Sequence, residues 1–457
     1  MRRFYLLLAV AVVVAAASCQ NDAILDGNLA SKEDCGELSS PYAISKEEAL
    51  DRLDDFMGVF DDCETRSHRR RVASINSVSM NDLYGHTRAN QADDIENLLY
   101  IVEFENGEGS AILGADERLK PVYAVLDKSV LTIEDFNNAT TSNPSEDIST
   151  FTAGLILDEV SRASINFLDS LAIIPPDGGL HSHWDDYIKV HVRTKYIEPL
   201  LNTKWDQTSY YNDRFPNTES GAEFGDGKQC AGCTTIALAQ ILNNNSYPSP
   251  IDVNNHRYYW RDINRHTWDA SSNDIDSVDM DLLALFIFDL AQDLRVEYND
   301  TGSTSAGVND VKRVMRRLGY SDFSEGGITE DRIYPMLLNQ RAVLTEGWRD
   351  GGKGHTWVID GWKTVRTDHY RVTYNGNNIE ISREFLSSTT DKYVHCNMGW
   401  SGDCDGYYPL DVFDVSYAKI GDNVELDCGD NPDSPKTTLE GDRMIYEYNL
   451  NSLTYSF

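Results

Sequence analysis

The spacing of apolar residues predicts helices in both the front and the back of the chain. In 44–60, apolar side chains recur every three or four residues, and Ser45 with Glu48 makes the pattern of a capping box. A longer helix is predicted over 148–172. In the back half, the same spacing predicts helices near 233–243, 279–294 and 307–318.

Alternating apolar and polar residues predict strands between and after these helices. Residues 98–126 show this alternation, with turn signals at Asn106, Gly107 and Gly109. The basic, Ser- and Asn-rich segment 66–82 is predicted to be a loop. Further strands are predicted at 342–348, 355–363, 369–376, 392–400 and 406–410. Helices first and antiparallel strands later indicate an α+β class for the back half.

The chain has 457 residues, a length at which two domains are expected. The segment 173–186 interrupts both patterns with two prolines and two glycines, which is typical of a linker. The resulting plan is a signal at 1–18, a polar tether at 19–40, a small α+β domain at 41–172, a linker at 173–189 and a larger domain at 190–457.

The N-terminal residues predict export. A cationic start precedes the apolar stretch Phe4–Ala17, which is too short for a comfortable membrane span. The stretch ends in AASC, residues 16–19, which resembles the lipobox of bacterial lipoproteins. Cleavage there would leave a lipid on Cys19, and an ordinary signal peptide cut near the same place is the alternative. Because no other segment reaches the ~20 apolar residues of a transmembrane helix, membrane contact is expected only through this lipid.

Charge and cysteine content narrow the function classes. A formal net charge of −34 argues against a nucleic-acid partner, because phosphate binding needs an excess of Lys and Arg. Eight cysteines are too few for a disulfide scaffold in a chain of this length. Eight less Cys19 leaves seven, an odd number, so at least one thiol is free or paired outside the chain.

Cys230 and Cys233 stand three residues apart at the start of an apolar, helix-forming run, and several interpretations compete for them. A redox pair would follow a strand, whereas a polar, Gly-rich segment precedes this one. A zinc site would need a second close pair, and Cys396 and Cys404 are eight apart. A nucleophile at the first turn of a helix fits Cys233 better, because the unpaired N–H groups there favour thiolate. A small buried residue that caps the helix is the remaining alternative.

A cysteine nucleophile needs a base, and the chain has ten histidines. His355 differs from the others because it opens an apolar strand directly after a Gly-rich turn, in GGKGHTWVIDGW. That placement exposes an imidazole at the edge of a cleft. The alternative is a histidine at a strand edge that is solvated by water.

Several segments, in this order, resemble the streptopain family of secreted bacterial cysteine peptidases. They are YIEPLLNTKWDQTSYYN, AGCTTIALAQILNNNSYP, YNDTGSTSAGVNDVKRVMRRLGY, GKGHTWVIDGW and HCNMGWSGDCDGYY, over roughly 190–412. In the front half, KEEALDRLDDF and YIVEFENGEGSAILGADERLKPVYAVL resemble that family's inhibitory proregion. The resemblance implies a papain-like cysteine peptidase domain, with a helical half and an antiparallel sheet half, preceded by a small α+β propeptide domain.

The resemblance also implies roles for individual residues. Cys233 would be the nucleophile and His355 the general base and acid. Asn397 would orient the imidazole, and Trp400 would pack beside the ring and shield that contact from water. No metal and no organic cofactor is implied.

Three positions depart from the family pattern. Met398 replaces the first Trp of the motif, and Thr234-Thr235 replace Val-Ala after the nucleophile. The glutamine of the oxyanion hole has no match at its usual spacing. Gln229 is the candidate nearby, together with the backbone N–H of Cys233.

These observations predict an exported cysteine endopeptidase made as a zymogen. Its partners would be protein or peptide substrates and its own proregion, and cleavage between about 173 and 196 would activate it. The protein would be lipid-anchored at the cell envelope or outer surface, with the mature domain retained or released. The alternatives are an inactive surface-binding protein of the same fold and a dithiol oxidoreductase that uses Cys230 and Cys233.

Overall fold

The computed structural model describes 43–61, 69–79, 82–83, 97–117, 119–140, 147–170, 185–218, 227–264, 277–298, 304–349, 354–374, 380–413 and 448–457. These residues lie in one compact unit, Leu38–Phe457. The predicted signal, the tether and most of the predicted linker fall outside the described residues.

Helices occupy both halves of the chain, as the apolar spacing predicts. The front half contains α1 Lys46–Phe60, α2 Ile133–Ala139 and α3 Ile148–Ser170, and Ser45 caps α1 by accepting a hydrogen bond from the Glu48 N–H at 3.1 Å. The back half contains α4 Cys233–Asn245, α5 Trp260–Ile263, α6 Ser277–Leu294, α7 Val308–Arg317 and α8 Glu330–Leu338.

The strands pair antiparallel, which confirms the predicted α+β class. They are β1 Val72–Ser79, β2 Asn97–Phe104, β3 Ser110–Gly114, β4 Val122–Leu126, β5 Asp185–Ile197, β6 Ile251–Val253, β7 His256–Tyr258, β8 Glu297–Tyr298, β9 Thr304–Ser305, β10 Ser321–Gly326, β11 Val343–Arg349, β12 Gly354–Tyr374, β13 Glu380–Asn397, β14 Gly406–Pro409 and β15 Tyr448–Ser456. The large sheet has the order β1-β2-β3-β4-β14-β13-β12-β11-β15-β10, and β5 pairs with β12.

One sheet runs through both halves of the chain. Strand β4 of the front half pairs with β14 of the back half, with Leu126 opposite Gly406 and Val125 opposite Tyr407. The N–H of Asp127 continues this pairing by donating to the carbonyl of Asp405 at 2.9 Å. The strands of the front half therefore extend the sheet of the larger domain.

The predicted loop at 66–82 is also wrong in its central part. Residues 72–79 form β1, whose partner is β2, with Ile75 opposite Val102 and Ser77 opposite Tyr100. The segment lacks a strict two-residue alternation because it is the edge strand of the sheet and its register shifts near both ends. Pairing with a strongly apolar neighbour outweighs its polar composition.

The C-terminal end of the predicted linker is a strand. Residues 185–189 lie in β5, which pairs with β12 from Asp185 opposite Thr373 to Ile197 opposite Trp362. The strands predicted at 355–363 and 369–376 are likewise one continuous strand, β12. Long-range pairing of this kind leaves little local signal in a sequence.

Phe60 shows how the front half packs on the back half. Its ring is fully buried, with centroids 5.3 Å from those of Tyr393 and Tyr407. The ammonium of Lys363 lies 4.0 Å from the Phe60 ring centroid, and burial lowers the pKa of this lysine to about 8.

Among the described helices, none is both long enough and apolar enough to cross a membrane.

We predict that Phe60→Ala destabilises the full chain by about 3–5 kcal/mol, the usual cost of deleting a buried phenylalanine ring. Phe385→Ala is the control because that ring is 56% exposed, and it should cost less than about 1 kcal/mol. Chemical denaturation of the full chain measures both, and equal losses would contradict this packing.

Candidate active site

The backbone at the start of α4 leaves donors available around Cys233. Gly232 has φ 89°, a conformation that favours glycine, and no side chain caps the helix. The first helical bond runs from the Ile236 N–H to the Gly232 carbonyl at 3.1 Å. The N–H groups before it have no partner within the helix, so they can stabilise negative charge beside Cys233.

Two threonines join helix α4 to β12, the strand that contains His355. The hydroxyl groups of Thr234 and Thr356 lie 3.0 Å apart, and Thr234 Oγ1 donates to the Ala306 carbonyl at 3.1 Å. Thr234 stands where the family has Val, so this departure adds a contact between the two halves of the site.

Cys233 and His355 meet across this junction. His355 lies at the start of β12, as the strand pattern predicts, but it is buried rather than exposed at a cleft edge, while the Cys233 side chain is partly exposed. Burial alone would raise the pKa of the Cys233 thiol. The hydrogen bond and positive charge of His355, together with hydrogen bonds to Thr356, lower that pKa to about 7 from an ordinary 9.0. A substantial fraction of the cysteine is therefore thiolate at neutral pH.

The other ring nitrogen of His355 is held by a backbone carbonyl. Nε2 lies 2.8 Å from the Met398 oxygen, which can only accept, so Nε2 carries a proton and Nδ1 is left for the thiol. The His355 ring also makes an edge-to-face contact with Phe151, at 5.4 Å between ring centroids, and it is parallel to the Trp357 ring, at 6.3 Å between centroids.

In this structure the acceptor that bonds the imidazole is the Met398 carbonyl, and the orienting role of Asn397 remains a prediction. Asn397 is buried, and its Oδ1 accepts from Gln240 Nε2 at 2.9 Å and from the Gly399 N–H at 3.2 Å. Its Nδ2 donates to the Thr203 carbonyl at 2.9 Å. These bonds place Asn397 behind the loop that presents Met398.

Trp400 lies at the end of the same loop. It packs partly buried against the core, and its carbonyl accepts from the Asp403 N–H at 2.7 Å. Its predicted place beside the His355 ring remains a prediction.

Two glutamines compete for the oxyanion role. The backbone of Gln229 is hydrogen-bonded within its loop. Its backbone N–H donates to the Pro216 carbonyl, and its backbone carbonyl accepts from Asn212 Nδ2. Gln207 was missed from the sequence. Gln207 is buried, and its backbone carbonyl accepts from the Ala231 N–H at 2.8 Å. Its side-chain Nε2 has no partner among the described residues. The only sequence signal was its place in WDQ, within a segment that resembles the family.

Two other cysteines of the described residues, Cys396 and Cys404, are less acidic than Cys233. Cys230, Cys396 and Cys404 are buried and, like Cys233, not disulfide-bonded. Burial raises the pKa of Cys404 to about 12 and that of Cys396 well above its ordinary value. Of Cys233, Cys396 and Cys404, only Cys233 therefore carries a substantial fraction of thiolate near neutral pH.

A helix-borne cysteine facing a strand-borne histidine is the arrangement of cysteine–histidine hydrolytic sites. The model of the peptidase C10 family matches residues 205–408, a segment that contains both residues. This is the streptopain family, and the match confirms the resemblance seen in the sequence.

Individual relatives are more distant. The thiol protease/hemagglutinin PrtT of Porphyromonas gingivalis is 24% identical over 203 residues, which cover 39% of this chain and 22% of that protein. A prointerpain A fragment from Prevotella intermedia is 18% identical with a TM-score of 0.47, over 78% of this chain and 94% of that one. Active interpain A from the same organism is 22% identical with a TM-score of 0.35, over 47% of this chain and 87% of that one.

We predict that iodoacetamide alkylates Cys233 in the full chain with a pH midpoint of about 7. The rate should fall as pH drops below that value, because only the thiolate reacts. In His355→Gln, the midpoint should rise toward the ordinary 9.0, since the imidazole no longer stabilises the thiolate. Mass spectrometry of the Cys233 peptide gives both profiles, and a wild-type midpoint near 9 would contradict the pairing.

Proposed function

We propose that this chain is an exported precursor of a cysteine endopeptidase that hydrolyses peptide bonds in proteins or peptides. The observation that carries the proposal is the contact between Cys233 and His355, in which the imidazole lowers the pKa of the thiol to about 7. The match of residues 205–408 to the model of the peptidase C10 family supports the same reaction class.

The proposed reaction uses the chain's own residues at each step. The Cys233 thiolate attacks the peptide carbonyl, and the oxyanion is bound by the Cys233 backbone N–H and one side-chain amide. Gln207 fits this second role because it offers a buried, unpartnered Nε2 close to the segment before Cys233. His355 then protonates the leaving amine, and a water molecule hydrolyses the thioester with His355 as base.

The front half is proposed to act as the inhibitory proregion. Phe151 of α3 makes edge-to-face contacts with the rings of His355 and Trp357, at 5.4 and 5.8 Å between ring centroids. An aromatic side chain in that position occupies space beside the catalytic ring that a substrate would need. Inhibition would therefore occur at the histidine side of the site.

Charged contacts hold the same half in place. Asp127 follows β4, and its carboxylate lies 3.2 Å from Nε2 of His395, whose Nδ1 is 2.6 Å from Asp360. Burial opposes charge on His395, but the two carboxylates raise its pKa to about 10. His395 is thus a cation at neutral pH that binds one carboxylate from each half. Lys120 of the front half forms further ion pairs with Asp411 and Glu159.

Activation is proposed to occur by cleavage between the halves. The predicted window of 173–196 narrows to 173–184, because residues from Asp185 onward are paired with β12 in β5. Peptidases cut extended segments that are free to enter their cleft. A strand that is hydrogen-bonded within a sheet is not free to do so. Export and lipidation of Cys19 are part of the same proposal, supported by the N-terminal sequence.

Two other functions are separated by experiment. An inactive binding protein of the same fold would not need the low thiol pKa of Cys233. A dithiol oxidoreductase would need Cys230 as its second thiol, and Cys230 is buried.

We predict that Cys233→Ala abolishes cleavage of a fluorogenic peptide by the processed protein, because the nucleophile is lost. Cys230→Ala should retain most of the activity, since Cys230 takes no part in the proposed steps. Equal loss in both variants, with both folded by circular dichroism, would instead support the dithiol function.

Phe151→Ala should increase severalfold the rate at which a peptidyl epoxide modifies Cys233 in the uncut precursor. Removal of the ring opens the histidine side of the site. Leu155→Ala is the matched control, one turn along α3, where the side chain is buried in the core. An equal increase in both variants would mean general loosening of α3 and would contradict a specific block by Phe151.

A further inference from the structure

We propose that Gln240 is a positioning residue that holds the three separate pieces of the active site in register. The inference rests on the proposed function and concerns how its catalytic pair is held. The pieces are helix α4 with Cys233, the segment 203–207 with Gln207, and the loop 397–399 with the acceptor for His355.

Gln240 is placed for this role by helical geometry. It lies in α4 seven residues after Cys233, about two turns along, so both side chains are on the same side of the helix. Gln240 is completely buried. An amide in that position is retained only with its hydrogen bonds made, and each of its polar atoms has a partner.

The amide nitrogen of Gln240 acts on the histidine through the loop. Nε2 donates to Asn397 Oδ1 at 2.9 Å, and the same oxygen accepts from the Gly399 N–H at 3.2 Å. That N–H belongs to the peptide unit whose carbonyl, on Met398, accepts from His355 Nε2 at 2.8 Å. The orientation of one peptide plane therefore connects Gln240 to the imidazole.

The amide oxygen of Gln240 acts on the opposite segment. Oε1 accepts from Thr203 Oγ1 at 2.7 Å and from the Trp205 N–H at 3.3 Å. Asn397 Nδ2 closes the ring of contacts by donating to the Thr203 carbonyl at 2.9 Å. Gln207 follows two residues after Trp205, so the same contacts also set the position of the candidate oxyanion donor.

The loop has a second anchor, which makes the role of Gln240 testable. The Met398 N–H donates to Asp405 Oδ1 at 2.6 Å, and this bond does not involve Gln240. Loss of the Gln240 amide should therefore leave the loop in place and loosen only the 398–399 peptide plane. The Met398 carbonyl would then hold His355 less well, and the imidazole would stabilise the Cys233 thiolate less.

The test is Gln240→Met, which keeps a similar volume and removes the amide. Asn243→Leu is the matched control, because Asn243 is buried on the same helix and its Oδ1 has no partner among the described residues. The readout is the pH profile of Cys233 alkylation by iodoacetamide in the full chain. Burial raises the pKa of Asp405 to about 7, but this group is present in both variants and affects them equally.

We expect Gln240→Met to move the alkylation midpoint upward by about half a pH unit or more, and Asn243→Leu to leave it at the wild-type value. In the processed enzyme, Gln240→Met should lower kcat with little change in KM. Thr203→Val, which removes one donor to Oε1, should move the midpoint the same way by less, and it decides the matter if Gln240→Met does not fold.

Midpoints that are unchanged in both Gln240→Met and Thr203→Val would overturn the inference, as would an equal shift in Asn243→Leu. Failure of the proposed function is a different result. There, the wild-type alkylation midpoint would stay near 7 while the processed protein cleaved no peptide.

Discussion

The whole site depends on the two hydrogen bonds of one imidazole. His355 has the Cys233 thiol on one side and the Met398 carbonyl on the other, and the second bond fixes which nitrogen is free for the first. The thiol begins a helix, the imidazole begins a strand, and the carbonyl lies in a loop after another strand. Most of the surrounding structure can be understood as what holds these three chain segments at hydrogen-bonding distance.

That requirement explains the buried polar groups between the helix and the sheet. Gln240, Asn397 and Thr203 form a ring of hydrogen bonds in a region where apolar side chains would give more stability but no fixed orientation. The front half meets the same histidine from outside, through Phe151, and joins the same sheet through β4. A segment attached in both ways can stabilise the full chain and also cover the histidine side of the site, as the proposed inhibitory role requires.

The sequence was informative where the signal is local. The start of α4 at Cys233, the start of a strand at His355 and the turn after β2 follow from helix caps, apolar alternation and glycine positions. It failed where pairing between distant segments decides the outcome, as for β1, β5 and the junction of β4 with β14. It did not indicate that the Met398 carbonyl would be the hydrogen-bond partner of His355, because a backbone carbonyl leaves no signal in the residue type. It also missed Gln207, because only the structure reveals a buried amide without a partner among the described residues.

The central claim is that Cys233 is a peptidase nucleophile paired with His355. The most direct measurement is mass spectrometry of the processed protein after incubation with a peptidyl epoxide, a reagent that needs both a substrate cleft and an activated thiolate. The account predicts stoichiometric modification at Cys233, with loss of that modification in His355→Gln. Modification at Cys230 instead, or an unmodified Cys233 in a processed and folded protein, would contradict it.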